Sequence, residues 1–115
     1  MKEYMFIYKG GDPKWMQTAS AEEKQAVMAQ WGAWLEKLGQ KGQLVTGGSP
    51  LEYTGKRVKK DGVVTDIAAS EVKELVSGYS IVKAESAEHA AMLARDCPIF
   101  RIEHAIVEVR AIAAM

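Results

Sequence analysis

A capping-box signature followed by a long helical pattern is the feature that most limits the fold of this chain. Ser20 precedes Glu23 by three residues, so its hydroxyl can accept a backbone N–H while the carboxylate reaches back. Apolar side chains then recur at helical spacing: Val27, Met28, Trp31, Trp34, Leu35 and Leu38. The pattern stops at Gly39 and Gly42, which predicts an amphipathic helix over about residues 21–41. Its stripe needs a sheet to cover, and we interpret both tryptophans as core residues rather than a ligand-stacking pair.

Runs of strand character lie on both sides of that helix. The first, YMFIY at residues 4–8, ends at Gly10-Gly11-Asp12-Pro13, which predicts a strand entering a loop. Asp61-Gly62 lies between two further runs and predicts the turn of a β-hairpin. The remaining strands are predicted over residues 43–46, 51–60, 63–65, 76–83 and 102–112.

A second, shorter helix is predicted before the last strand. Ser86 supplies its N-cap, and Pro98 prevents it from continuing. Its inner stripe is small and apolar: Ala90, Leu93, Ala94 and Cys97. We interpret Cys97, the single cysteine of the chain, as a core residue rather than a nucleophile.

The order of these elements predicts an α+β fold. Strand, helix, strand, hairpin, strand, helix, strand is the order of a ferredoxin-like sandwich, in which an antiparallel sheet carries two helices on one face. A length of 115 residues suits one such domain over residues 1–115.

Charge and targeting patterns limit the expected partners. Fifteen Lys and Arg balance fifteen Asp and Glu, which argues against a nucleic-acid partner. The basic residues at 56–60 are interpreted as a solvated sheet edge. The start has no signal-peptide pattern and no apolar run reaches membrane-spanning length, so we expect a cytoplasmic protein without a membrane partner. Motifs for metal, nucleotide or phosphate binding are missing from the sequence, and no metal or cofactor is expected.

Two helices can cover only one face of the predicted sheet, so the other face needs a partner. The apolar residues predicted on this open face are Tyr4, Phe6, Tyr8 and Ile106. An exposed apolar surface of this extent typically marks an interface. We therefore expect a homodimer formed through the open face.

Alternation along the last predicted strand places ionisable side chains on the same face: His104, Glu108 and Arg110. An imidazole titrates near neutrality, so His104 is the candidate general acid/base. Glu108 or Asp66 would orient it as a carboxylate partner. The side chains expected to line a substrate cleft are Arg110, Tyr79, Tyr8 and Phe6. The alternative is that the charged residues form ion pairs within the dimer interface.

Four segments carry a family resemblance through their order and spacing. They are VTD at 64–66, KELVSGYSI at 73–81, AAMLARDCP at 90–98 and IVEVRAI at 106–112. Together with the opening run and the turn at 44–48 they resemble the YCII-related domain family, and in detail its DGPF subgroup. The resemblance implies a dimeric α/β barrel of ferredoxin-like sandwiches. It also implies cofactor-independent lyase chemistry, which in the wider family is associated with a histidine–aspartate pair.

The subgroup's namesake motif is altered in this chain. Asp66 is kept, but Ile67-Ala68-Ala69 stand where the subgroup has Gly-Pro-Phe. Glycine and proline set a turn that these residues need not adopt. Two functions therefore remain open: a cofactor-free lyase or isomerase with His104 as base, and a non-catalytic dimeric protein that binds a small ligand or acts as an accessory.

Overall fold

The computed structural model describes residues 1–67 and 74–114 as an α+β fold built on an antiparallel sheet. The helices are α1 (Pro13–Thr18), α2 (Ala21–Gln40) and α3 (Ala87–Ala94). The strands are β1 (Lys2–Lys9), β2 (Leu44–Thr46), β3 (Lys56–Val58), β4 (Val64–Asp66), β5 (Val76–Ala84) and β6 (Ile106–Ala111). A 3-10 turn at Pro98–Arg101 joins α3 to β6.

The main sheet has the strand order β2-β5-β1-β6, and all neighbouring strands are antiparallel. This arrangement is compatible with the predicted ferredoxin-like sandwich. β3 and β4 form a separate two-stranded ladder inserted between β2 and β5. The hairpin turn at Asp61-Gly62 is confirmed: Gly62 has a φ of 86°, and Asp61 Oδ1 accepts the Val63 N–H at 2.9 Å.

The start of α2 is as predicted, and so is the packing of its apolar stripe except at Met28, which is 72% exposed. The Ser20 side chain accepts the Glu23 N–H, and the Glu23 side chain returns to the Ser20 backbone. The Trp34 ring stacks on Phe6 with centroids 6.2 Å apart, and Trp31 meets Tyr8 edge-on at 5.1 Å. Both tryptophans therefore belong to the contact between helix and sheet.

The predicted orientation of β1 is wrong. Tyr4, Phe6 and Tyr8 are 5%, 0% and 4% exposed and lie in the core beneath the helices, not on the open face. Alternation groups residues by face but does not say which face the helices cover. Because Met5 and Ile7 make the second set apolar as well, the sequence of β1 offers no polar side to mark the exterior.

The second helix and Cys97 are confirmed in the core. Ser86 caps α3 by accepting the His89 N–H, and Ala90 and Ala94 are buried. Cys97 is 3% exposed, and burial raises the pKa of its thiol to about 12. At neutral pH the sulfur is a protonated packing group.

Four local features depart from the sequence prediction or fall outside the described residues. Of the strand predicted over residues 51–60, only Lys56–Val58 forms β3. Residues predicted as loop form α1, where Asp12 accepts the Trp15 N–H and Pro13 occupies the first helical position. β6 begins at Ile106 rather than at residue 102, because Ala105 N–H donates to Ile102 O and closes a turn. The sequence over residues 70–75 also predicts a helical turn, most of which lies outside the described residues, as do Ala68 and Ala69.

Candidate functional site

The face of the sheet opposite the helices carries two rows of side chains across three strands. Tyr79, Ile7 and Glu108 form one row, since Ile7 lies opposite the other two in the strand registers. Ile81, Met5 and Arg110 form the next row. We call this surface, together with Lys9 and Ile106, the open face. The predicted placement of Glu108, Arg110 and Ile106 on it is confirmed.

Lys9 is a central charged residue of the open face that sequence reasoning missed. Its Nζ lies 3.3 Å from Glu108 Oε2 and 3.3 Å from Glu74 Oε2. Hydrogen bonds to Glu108 and then to Glu74 raise the pKa of the Lys9 ammonium, so it stays charged. The signal was present in the alternation of Met5, Ile7 and Lys9, but assigning the wrong face to β1 hid it.

His104 lies in the turn before β6 rather than in the β6 ladder. A side-chain carbon on Gly10 would lie 3.0 Å from Cδ2 of His104, so the imidazole packs directly on the glycine backbone. Gly10 has a φ of 96°, and its N–H donates to Leu75 O at 2.9 Å. The ring therefore lies at the carboxyl end of β1, against Gly10, the residue that follows Lys9.

The buried Nε2 atom of His104 has no hydrogen-bond partner. Among residues 1–67 and 74–114, no hydrogen bond or ion pair joins His104 to a carboxylate; Glu108 is engaged by Lys9. A buried polar atom without a partner is costly, and in native proteins such atoms call for an explanation such as a functional role or an ordered water.

Asp66 lies at the end of β4 and is engaged by the neighbouring strand. Its carboxylate pairs with Lys56, the residue opposite it in the hairpin, and 78% of its side chain is exposed. Ile67 N–H donates to Gly55 O at 3.0 Å and extends the hairpin by one residue. The structure brings His104 together with Gly10 but shows no contact between His104 and Asp66.

A shallow groove of about 330 Å³ lies between the hairpin and the main sheet. Its lining is Leu51, Arg57, Ile67, Glu74, Leu75 and Val76. The volume is at the lower end of the range for small-molecule sites. Glu74 joins this groove to the open face, since the same carboxylate bonds Lys9.

Phe6 and Tyr8 are excluded from the open face by their burial. The Tyr8 hydroxyl donates to Ser80 Oγ at 2.7 Å, and Ser80 Oγ donates to Gly47 O at 2.7 Å. Burial raises the pKa of the Tyr8 phenol far above its ordinary value, so it remains protonated. We name this chain of groups the Tyr8–Ser80–Gly47 relay; its contacts are structural.

Comparisons with known proteins identify the family of this chain. The family model for the YCII-related domain matches residues 4–115. A comparison with curated proteins gave no match. In the described ranges, no three His, Cys, Asp or Glu side chains converge as metal ligands. No helix in the same part of the chain has the length and apolar character needed to cross a bilayer.

Proposed function

The chain belongs to the YCII-related domain family, and from that premise we propose that it is a cofactor-independent lyase or isomerase that moves a proton on a small organic substrate. His104 is the proposed acid–base group. The observation that carries the proposal is the buried, unpartnered Nε2 of a ring packed against Gly10. A nitrogen with no internal partner keeps its hydrogen-bonding capacity for a bound molecule that reaches it.

The neighbouring charges supply the other proposed roles. Lys9 stays protonated between its two glutamates and can offset negative charge that develops on the substrate. Glu108 is the proposed orienting carboxylate, and Arg110 on the same strand face would fix an anionic group. Asp66 would take part only after releasing Lys56. Tyr79 lies in the same row as Glu108 and would contribute its ring to the cleft.

The proposal includes the assembly and setting expected from the sequence. A second copy covering the open face would enclose the site and form the dimeric barrel. The half-buried apolar side chains Met5, Ile7 and Ile81 support this, since such a surface usually meets a partner. Membership of the DGPF subgroup and a cytoplasmic location are parts of the same proposal.

A second candidate function is non-catalytic binding of a small ligand. It is favoured by the commitment of both candidate carboxylates to lysines, Glu108 to Lys9 and Asp66 to Lys56. With those pairs intact, neither candidate carboxylate is available to orient the tautomer of the imidazole. The same open face would then hold a ligand without turning it over.

The test starts with a screen of small carboxylic acids and phenols for binding and for turnover, detected by NMR of the full chain. If the protein is an enzyme, His104→Ala should lower kcat by a factor of about 10² to 10⁴ and change the ligand dissociation constant only a few-fold. His89→Ala is the matched control, because His89 is the other histidine and accepts the Glu85 N–H at the start of α3. It should leave kcat unchanged.

Two results would decide against catalysis by His104. Turnover that persists unchanged in His104→Ala would remove the histidine from the mechanism. Ligands that bind the wild-type protein and are recovered unaltered after prolonged incubation would favour the non-catalytic function.

A further inference from the structure

Among residues 1–67 and 74–114, the outer strand β6 has a backbone edge that pairs with no other strand, and one contact shows which of its residues point outward. Ile112 N–H donates to Glu3 O at 3.0 Å, so the even-numbered residues of this segment point their backbone groups towards β1. In an antiparallel ladder, alternate residues point to opposite sides. The N–H and C=O groups of Val107, Val109 and Ala111 therefore point away from the sheet.

This edge carries the charges of Glu108 and Arg110 but lacks other devices that normally prevent strand pairing, namely proline, a bulge and an unusually short strand. β6 is 6 residues long, contains no proline, and keeps an unshifted register with β1. Long, regular and uncovered edges act as templates for a further strand. In the described part of the chain β6 is the last strand of its sheet.

One register makes this edge complementary to itself. If Val109 lies on a two-fold axis and faces Val109 of a second copy, Val107 faces the partner's Ala111, and the outward backbone groups of both strands meet. The same register sets Glu108 opposite the partner's Arg110 on the open face. Lys9 bonds Glu108 through Oε2, which leaves Oε1 for the guanidinium.

The apolar side chains at the ends of the segment fit the same register. Ile106 is 50% exposed and Ile112 is 42% exposed, although both are large and apolar. In the two-fold arrangement Ile106 lies opposite the partner's Ile112, and Ile112 lies opposite the partner's Ile106. Cross-strand pairs of opposite charge and of branched apolar residues both stabilise an antiparallel ladder.

We propose that β6 pairs antiparallel with β6 of a second copy of this chain, centred on Val109, which joins two four-stranded sheets into one continuous sheet. The contact uses the backbone edge and is separate from the proposed dimer through the open face. Both contacts can exist in one particle of four chains only if the open-face dimer leaves the β6 edge outside its seam, since a fully closed barrel has no free strand edge. The charge pattern of Glu108 and Arg110 selects the register, because a shift by two residues removes the pairing of opposite charges.

The first experiment is sedimentation of the full chain with proline placed on the outward edge. Ala111→Pro removes an outward N–H without touching the hydrogen bonds to β1, and edge strands tolerate proline at such positions. The variant should have half the mass of the wild type. Ala114→Pro, beyond the strand, is the matched control and should keep the wild-type mass.

The second experiment tests the register through charge. Arg110→Glu and Glu108→Arg should each halve the mass, because each places like charges opposite one another. An equimolar mixture of the two variants should recover the wild-type mass, since the mixed pair is again complementary. The amides of Val107 and Val109 should lose protection from hydrogen exchange in each charge variant and regain it in the mixture, which distinguishes the edge contact from the open-face contact even if Ala111→Pro does not fold.

Ile81→Glu, on the open face but opposite Met5 rather than Glu108, separates the two contacts. An unchanged mass in Ala111→Pro together with a halved mass in Ile81→Glu would overturn the edge pairing and retain the dimer through the open face. A wild type that sediments as one chain, or a charge mixture that recovers no mass, would also overturn it. If Ala111→Pro and the open-face variant each halve the mass of the particle, both contacts are supported.

Discussion

The two outer strands end the same sheet in opposite ways. β2 has 3 residues, its register with β5 shifts between Leu44 and Thr46, and the chain continues through Gly47-Gly48 to a single bridge between Pro50 and Gly78. β6 has 6 residues in unbroken register with β1. The β2 edge is interrupted by a bulge, two glycines and a proline, whereas the β6 edge is straight and open.

The difference shows how one sheet can direct where strand pairing occurs. The irregular chain after β2 is held down by the Tyr8–Ser80–Gly47 relay, so its bends are built into the packing. An added strand could not follow it in register. Within the part of the chain that the structure describes, no such restraint acts on β6, and its charges alternate in a way that a second copy can match. Association is therefore expected at one edge and resisted at the other.

The largest expected effect comes from Gly48 on the interrupted edge. Its φ is 69°, and a side-chain carbon there would overlap the carbonyl oxygen of Tyr79. Gly48→Ala should lower the free energy of unfolding by about 3 kcal/mol, since strain and overlap act together. Gly42→Ala is the matched control: Gly42 has a φ of 70° and no neighbouring atom within 4 Å. Urea unfolding should show a loss of only about 1 kcal/mol for it; equal losses would mean that the close approach to β5 contributes nothing.

The next largest effect is expected at the Tyr8–Ser80–Gly47 relay, which fixes the chain after β2. Ser80 is 0% exposed and its hydroxyl joins Tyr8 to Gly47. Ser80→Ala should cost about 2 kcal/mol in urea unfolding, because a buried donor and a buried acceptor both lose their partner. Tyr8→Phe removes one donor and keeps the bond from Ser80 to Gly47, so its cost should be smaller, about 1 kcal/mol. The reverse order would show that Ser80 does not hold the loop.

A smaller effect is expected from alkaline pH on the core beside this relay. Burial raises the pKa of Cys97 from 9.0 to about 12, so the folded state keeps a proton that the unfolded chain loses first. The corresponding stability is fully present below about pH 9 and is lost as the pH rises towards 12. From about pH 8 to 10 the thiol should account for a loss of about 1 kcal/mol. Cys97→Ala should show a shallower slope over this range; an identical slope would assign the loss to other groups.

The smallest effect concerns amide hydrogen exchange in β6, which can be measured without changing any native contact. Amide hydrogen exchange should divide the strand by alternation: Glu108 and Arg110, which face β1, exchange slowly, whereas Val107 and Val109 depend on the second copy. At high protein concentration the outward amides should be protected, and dilution should release them. In Ala111→Pro they should exchange rapidly at every concentration. Outward amides of the wild type that exchange rapidly at all concentrations would contradict the pairing.

Several features of the fold could be predicted because they depend on residues close in sequence. The capping box at Ser20 and Glu23, the hairpin turn at Asp61-Gly62 and the N-cap at Ser86 each form within a few residues. Periodicity was sufficient to place Trp34 and Cys97 in the core. The order of the elements predicted an α+β fold with an antiparallel sheet for the same reason.

The candidate site was only partly predictable, since its residues meet through contacts distant in sequence. Alternation placed Glu108 and Arg110 on the open face, but it could not reveal that Lys9, 99 residues before Glu108, bonds its carboxylate. His104 was predicted to lie in the last strand, but it belongs to the turn at residues 102–105 instead. Asp66 was expected to be a carboxylate partner of His104, yet a cross-strand lysine occupies its carboxylate.

The sequence by itself determined the helices, the caps, the hairpin turn and the pairs of residues that share a strand face, because these follow from local sterics and the period of each element. Only the tertiary structure decided which face of β1 the helices cover, which carboxylates the lysines engage, and which sheet edge stays open. With two apolar faces on β1, the choice depends on how α2 and α3 pack, and that packing is a property of the whole chain.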